Sequence, residues 1–156
     1  MESNLLQQII AKFTHTRLDR PPIKLRNYPH LVGGDILLWN NFLTNYPNFF
    51  SAVSYDVRVG EGIDPTGDMP ESIRQMGIEL TKKRIDVLGQ HDNEIWIVEL
   101  KWNPLIDVIG QLESYKILLL KDYGQIIPIK LCAIINWLNP DLEYIFKTKR
   151  IEYFIQ

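Results

Sequence analysis

Asp86, Glu99 and Lys101 are the residues whose types and spacing could do chemistry. The stretch from Ile95 to Trp102 reads IWIVELKW, a strand pattern. Strand side chains alternate faces, so Trp96, Val98, Leu100 and Trp102 share one side and Ile95, Ile97, Glu99 and Lys101 the other. Both rows begin apolar, as in a strand covered on both faces, yet one ends in an acid and a base. Burying such charges is costly unless they are paired or hold a metal. Arg84 to Gly89 reads as a short strand, followed by a polar turn from Gln90 to Glu94. If Asp92 and Asn93 form a two-residue hairpin loop, His91 faces Glu94 and Asp86 falls opposite Glu99. Directly opposed residues have Cβ atoms roughly 5 Å apart, so the two carboxylates would repel each other. A divalent cation between them would remove the repulsion in a hard, oxygen-donor site suited to magnesium. Lys101 would stand beside that ion. A one-residue slip of register would move Asp86 to the other face.

The run Ile85-Asp86 followed by Glu99-Leu100-Lys101 resembles the pattern of the PD-(D/E)xK nucleases, the restriction-endonuclease-like superfamily. Ile85 stands where that pattern has proline. Gln111-Leu112-Glu113-Ser114-Tyr115 resembles the Gln-x-x-x-Tyr element of the RecB-like branch, and RIDVL, IVELK and GQLESY together resemble the nuclease domain of archaeal and actinobacterial mismatch endonucleases. The resemblance implies a three-layer α/β core with a mixed central sheet flanked by helices. It implies hydrolysis of DNA phosphodiester bonds with Mg²⁺ or Mn²⁺, endonucleolytic rather than exonucleolytic. Asp86, Glu99 and the main-chain carbonyl of Leu100 would hold the metal, Gln111 would steady its surroundings, and Lys101 would serve the attacking water. Tyr115 would contact the substrate backbone or, as its other reading, fill the core.

The elements around these residues follow from pattern. The chain of 156 residues is expected to form one domain, with 1–34 as an N-terminal helix and basic arm and 35–156 as the catalytic core. Leu6, Ile9, Ile10 and Phe13 recur at helical spacing over Ser3 to Phe13. Pro21-Pro22, Pro29 and Gly33-Gly34 mark an extended connection. Asp35 to Asn45 reads as a helix. Asp35 is read first as its N-cap and second as an additional acid of the site. Phe49 to Val59 reads as a strand, Gly60 to Pro70 as a loop, and Glu71 to Leu80 as a short helix in which Glu79 is a further spare acid. Asn103-Pro104 reads as a cap and first-turn proline for a helix to about Lys121, with Leu105, Val108, Ile109, Leu112, Tyr115 and Leu119 facing the sheet. Ile126 to Leu138 reads as a strand parallel to the Glu99 strand. Asn139-Pro140 reads as a turn, Asp141 to Phe146 as a short helix, and Arg150 to Ile155 as a last strand.

Composition sets the outer bounds. A hydrophobic share of 46 % supports a real core. No apolar run is long enough to span a membrane, and the amphipathic start is unlike a signal peptide, so an intracellular, cytoplasmic location is expected. Cys132, the single cysteine, sits in an apolar run and reads as core. The net charge of −2 does not advertise nucleic acid, so contact with DNA falls to local clusters. These are the arm from Lys12 to His30, Lys82-Lys83-Arg84 and the run from Lys147 to Arg150. Each reads equally as a solvated face. No phosphate loop, GxSxG or HExxH is present, and His15, His30 and His91 are scattered. The rival to a nuclease is a non-catalytic nucleic-acid-binding or assembly protein on the same fold, in which Asp86 merely salt-bridges Lys101. A homo-oligomer is expected for so small a domain.

Overall fold

A computed structural model describes residues 22–124 and 128–156. The helix expected over Ser3 to Phe13 and the basic residues Lys12, Arg17 and Arg20 lie outside the described residues. In chain order the elements are α1 (Gly34–Asn45), β1 (Ala52–Val59), α2 (Glu71–Thr81), β2 (Lys83–His91), β3 (Glu94–Lys101), α3 (Asp107–Tyr123), β4 (Ile129–Ile135), α4 (Pro140–Lys149) and β5 (Ile151–Ile155). The five strands form one sheet in the order β1-β2-β3-β4-β5. β1, β2 and β3 pair antiparallel, and β3, β4 and β5 parallel. The sheet is therefore mixed, as expected, and the parallel step from β3 to β4 is bridged by α3. Among the described residues no helix is long and apolar enough to cross a membrane.

The alternation read in β3 divides the core into two layers. Trp96, Val98 and Leu100 pack with Leu38, Trp39 and Phe42 of α1. Ile95 and Ile97 pack with Val108, Ile109, Leu112, Tyr115 and Leu119 of α3 and with Leu142 and Phe146 of α4. Cys132 is fully buried in the first layer. Helices thus cover both faces of the sheet, the three-layer arrangement of an α/β domain.

Alternation breaks at one place. Val53 and Val87 belong to the α1 face, but Val57 and Ile85 belong to the α3 face. Between them the β1–β2 ladder steps from Tyr55↔Val87 to Val57↔Ile85, and Asp56 has a positive φ of 55°. Aspartate tolerates this left-handed conformation better than most residues. The pair changes face there, so Asp86 sits at a kink rather than within a regular row.

Three helix starts differ from expectation. Asp35 is not a cap: Gly33 occupies that position and no side chain caps α1. α3 begins at Asp107, not after Asn103. Pro104 is buried and Leu105 is 63 % exposed instead of facing the sheet, and bonds from Val108 N to Leu105 O and from Ile109 N to Ile106 O tighten the first turn. The cap and first-turn proline occur instead at Asn139-Pro140, where Asn139 Oδ1 accepts from Leu142 N at 2.8 Å.

Candidate active site

The β2–β3 hairpin turns through Asp92 and Asn93, with Asp92 at φ 50°. Its ladder runs from His91↔Glu94 to Val87↔Val98 and stops. One step further, Asp86 stands against Glu99. Here the Leu100 amide donates to Asp86 Oδ2 at 2.9 Å, so the carboxylate takes a bond beyond the end of the ladder. Leu100 therefore touches Asp86 through its N–H.

Asp86 and Glu99 are 8 % and 3 % exposed. Burial first, and then the neighbouring Asp86 carboxylate, push Glu99 up to about 9, against the pull of Lys101. Burial also raises Asp86; the Leu100 amide lowers it, Asp35 raises it and His30 lowers it. As a carboxylate, Glu99 leaves its buried Oε2 with no hydrogen-bond partner; protonated, it hydrogen-bonds to Asp86. Two acids are thus held together in unequal states: Asp86 disfavours the charge of Glu99, while a hydrogen bond from the protonated Glu99 favours that of Asp86.

Lys101 closes the group. Its Nζ lies 3.0 Å from Gln111 Oε1, 3.5 Å from Glu99 Oε1 and 3.8 Å from Asp107 Oδ2. Gln111 and Tyr115, four residues apart, share one side of α3. Tyr115 is buried in the α3-side core, and its hydroxyl is pushed well above the usual tyrosine range by burial first and then by Glu99 and Asp86. The tyrosine is thus a core residue and also a neighbour of the acids.

The donor set fits a hard cation. Two carboxylates, one with a buried unpartnered oxygen, lie beside an amide oxygen. Among the described residues no group of three or more His, Cys, Asp or Glu side chains gathers as a metal cage. Magnesium does not need one, because it keeps several waters and takes only one or two carboxylates. The set has no sulfur or imidazole cluster to favour zinc.

The other expected residues divide. Asp35 comes to the site: its Oδ1 accepts from Trp102 N at 3.1 Å, burial raises its pKa, and Lys101 lowers it. Glu79 does not. It pairs with Lys82 at 2.6 Å and with Arg58 at 3.8 Å. Arg84 forms a two-pronged pair with Asp56, at 2.5 and 2.6 Å. Of the three consecutive cations, Lys83 alone is exposed. Two residues were missed. Asp107 lies four before Gln111 on one helix side, a spacing visible in the sequence. His30 acts on Asp35 and Asp86 electrostatically from the segment before α1, a proximity only the fold reveals.

No family model matches the chain, and no curated protein matches it. Two solved structures are similar. An EndoMS–dsDNA complex shares 18 % identity over 85 % of this chain and 48 % of that one, with a TM-score of 0.48. Protein VC1899 from Vibrio cholerae shares 15 % over 99 % of this chain and 39 % of that one, with a TM-score of 0.46. The chain spans less than half the length of either.

Proposed function

We propose that the chain is a metal-dependent nuclease that hydrolyses DNA phosphodiester bonds, at internal positions rather than from ends. The observation that carries this reading is the buried Asp86–Glu99 pair with the unpartnered Glu99 Oε2 and Lys101 at its edge. Two pressed carboxylates are stable as anions only with a cation between them. Asp86 and Glu99, with the Leu100 carbonyl, would hold Mg²⁺ or Mn²⁺. Such an ion, when bound, supplies a water of lowered pKa and neutralises charge on the phosphate. Lys101 Nζ, anchored by Gln111, orients the attacking water and faces the charge that builds on the phosphorus oxygens as the P–O bond breaks. Gln111 fixes the ammonium, and Tyr115 braces the same wall. Lys82, Lys83 and Arg84 lie just before Asp86 on β2 and would meet the phosphate backbone, Lys83 most directly. Asp35 is an additional acid that holds the chain after Lys101.

A second reading, a binding or assembly protein on this scaffold, is favoured by the contact of Lys101 Nζ with Glu99 Oε1, which partners the acid without any ion. The test is cleavage of supercoiled, linear and single-stranded DNA with Mg²⁺, Mn²⁺ or EDTA. Metal-dependent nicking of the wild type, lost in Asp86→Ala and Lys101→Ala, is expected. An inactive wild type with no heat of Mg²⁺ or Mn²⁺ binding would leave the binding reading. Light scattering at working concentrations tests the accompanying expectation of a homo-oligomer.

A further inference from the structure

Among the described residues, no strand pairs with the outer side of β1 or of β5. Such an edge presents unpaired N–H and C=O groups that invite another strand, and native proteins blunt it with kinks or charges. β1 is blunted. Asp56 kinks it at φ 55°, Asp56 and Arg58 place charge along it, and the Tyr28 ring packs 5.2 Å from that of Tyr55. β5 is not. Its ladder with β4 runs unbroken from Ile151 to Ile155, with no proline, no lysine and no positive φ within it. Glu152 is the only charged residue of the strand, and Lys130 of β4 lies 3.9 Å from it.

One bond fixes where the backbone of β5 points. The Gln156 amide donates to Ile135 O, so Gln156 faces β4 and, by the alternation of a strand, so do Phe154 and Glu152. The N–H and C=O groups of Ile151, Tyr153 and Ile155 therefore point away from the sheet. Ile151 and Tyr153 pack in the α3-side core, whereas Ile155 is left 53 % exposed. This edge is complementary to itself. Laid antiparallel on a second copy about a two-fold axis at Tyr153, Ile151 falls opposite Ile155 of the partner subunit. Tyr153 falls opposite the partner subunit's Tyr153. These are hydrogen-bonded positions of an antiparallel pair, so every outward N–H and C=O is satisfied. Ile155 gains an apolar neighbour, and Glu152 faces Phe154 of the partner subunit. An axis at Glu152 would instead oppose two like charges directly, which is unfavourable. An axis at Phe154 would leave Ile151 unpaired.

We propose that two copies of the chain pair antiparallel through β5, joining their sheets into one, and that each copy keeps a complete site. Strands run in opposite directions across the axis, so the β3 ends that carry Glu99 and Lys101 face opposite ends of the joined sheet. Five strand spacings, roughly 24 Å, separate the two β3 strands. The two sites thus do not meet on facing phosphodiesters of one duplex, and each nicks a single strand alone. This catalytic consequence rests on the nuclease reading; the pairing does not.

One short edge is a small interface, so pairing is expected at roughly micromolar concentrations and above. Sedimentation velocity of the whole chain across that range should pass from monomer to dimer. Ile155→Pro removes an outward N–H and no bond to β4, and should leave the chain monomeric throughout. Ile155→Lys, at an exposed position, should weaken association roughly tenfold and leave the melting temperature of the dilute chain unchanged. Amide exchange read residue by residue reports the register. On concentrating, Ile151, Tyr153 and Ile155 should slow, while Glu152, Phe154 and Gln156, which face β4, should not. A chain monomeric at every concentration, a dimer that Ile155→Pro leaves intact, or protection without that alternation overturns the proposal. Nicking per chain should be equal in the wild type and Ile155→Lys; activity lost with the dimer would overturn the self-contained sites. A dimer that never cleaves DNA sinks the nuclease reading alone.

Discussion

Glu99 ties the site to stability. Its carboxyl titrates at about 9 in the fold, against an ordinary 4.5. Between those values the folded chain holds a proton that the unfolded chain has released, so stability falls as pH rises through that window. The metal-free chain should melt at progressively lower temperature from pH 5 to pH 9. Glu99→Gln should flatten the profile, and saturating Mg²⁺ should raise the melting point most at the alkaline end. A wild-type profile already flat would show that the acids do not strain each other. The juxtaposition of Asp86 and Glu99 was legible because a two-residue turn propagates register: once His91 faces Glu94, every later pair is fixed. Asp35 was read only second as an acid of the site and His30 not at all, since no local pattern says that the segment before α1 folds onto the end of β3. The pairing of Arg84 with Asp56, 28 residues away, was hidden for the same reason, whereas that of Lys82 with Glu79 spans only three residues.

At the element scale the same dipeptide was read both ways. Asn103-Pro104 looked like a cap and is loop; Asn139-Pro140 looked like a turn and is the cap. Local chemistry is identical at the two. What differs is how far the chain must travel from the strand to the helix layer, which tertiary packing decides. Asn139→Ala should therefore cost about 1 kcal/mol in a denaturant melt, and Asn103→Ala much less. Gly34 has a different constraint. A Cβ there would lie 2.5 Å from the Trp102 ring, so Gly34→Ala must push α1 off the residue that follows Lys101. A loss of about 1–3 kcal/mol is expected by the same measurement, together with reduced cleavage. Arg150 ends α4 in the left-handed region at φ 57°, so Arg150→Gly should raise stability by about 0.5–1 kcal/mol.

At the scale of the molecule, the alternating apolar rows of β3 and the helical spacing of α3 were enough to give layers, strand directions and the parallel crossover. The change of face at Asp56 was not, because a single positive φ leaves no trace in hydrophobic periodicity. Sheet order equals chain order. β2, β3 and β4 lie inside, and β1 and β5 at the edges. In the single chain, amide hydrogen exchange should be slowest in β3 and β4 and faster in β1 and β5, each of which pairs on one side only. Uniform protection across the strands would contradict that gradient.

The same order has a consequence for a chain that is still being made. Asp86, Glu99, Lys101, Gln111 and Tyr115 all precede β4, so the acid pair can form while β3 is still the outer strand. Until β4 docks, a strand with Ile95 and Ile97 on one face and Trp96, Val98 and Leu100 on the other presents an open row of amides and carbonyls. A ribosome-stalled or truncated product ending at Gly124 would be a sticky template for its own copies, and β4, backed by β5, is the strand that covers that row.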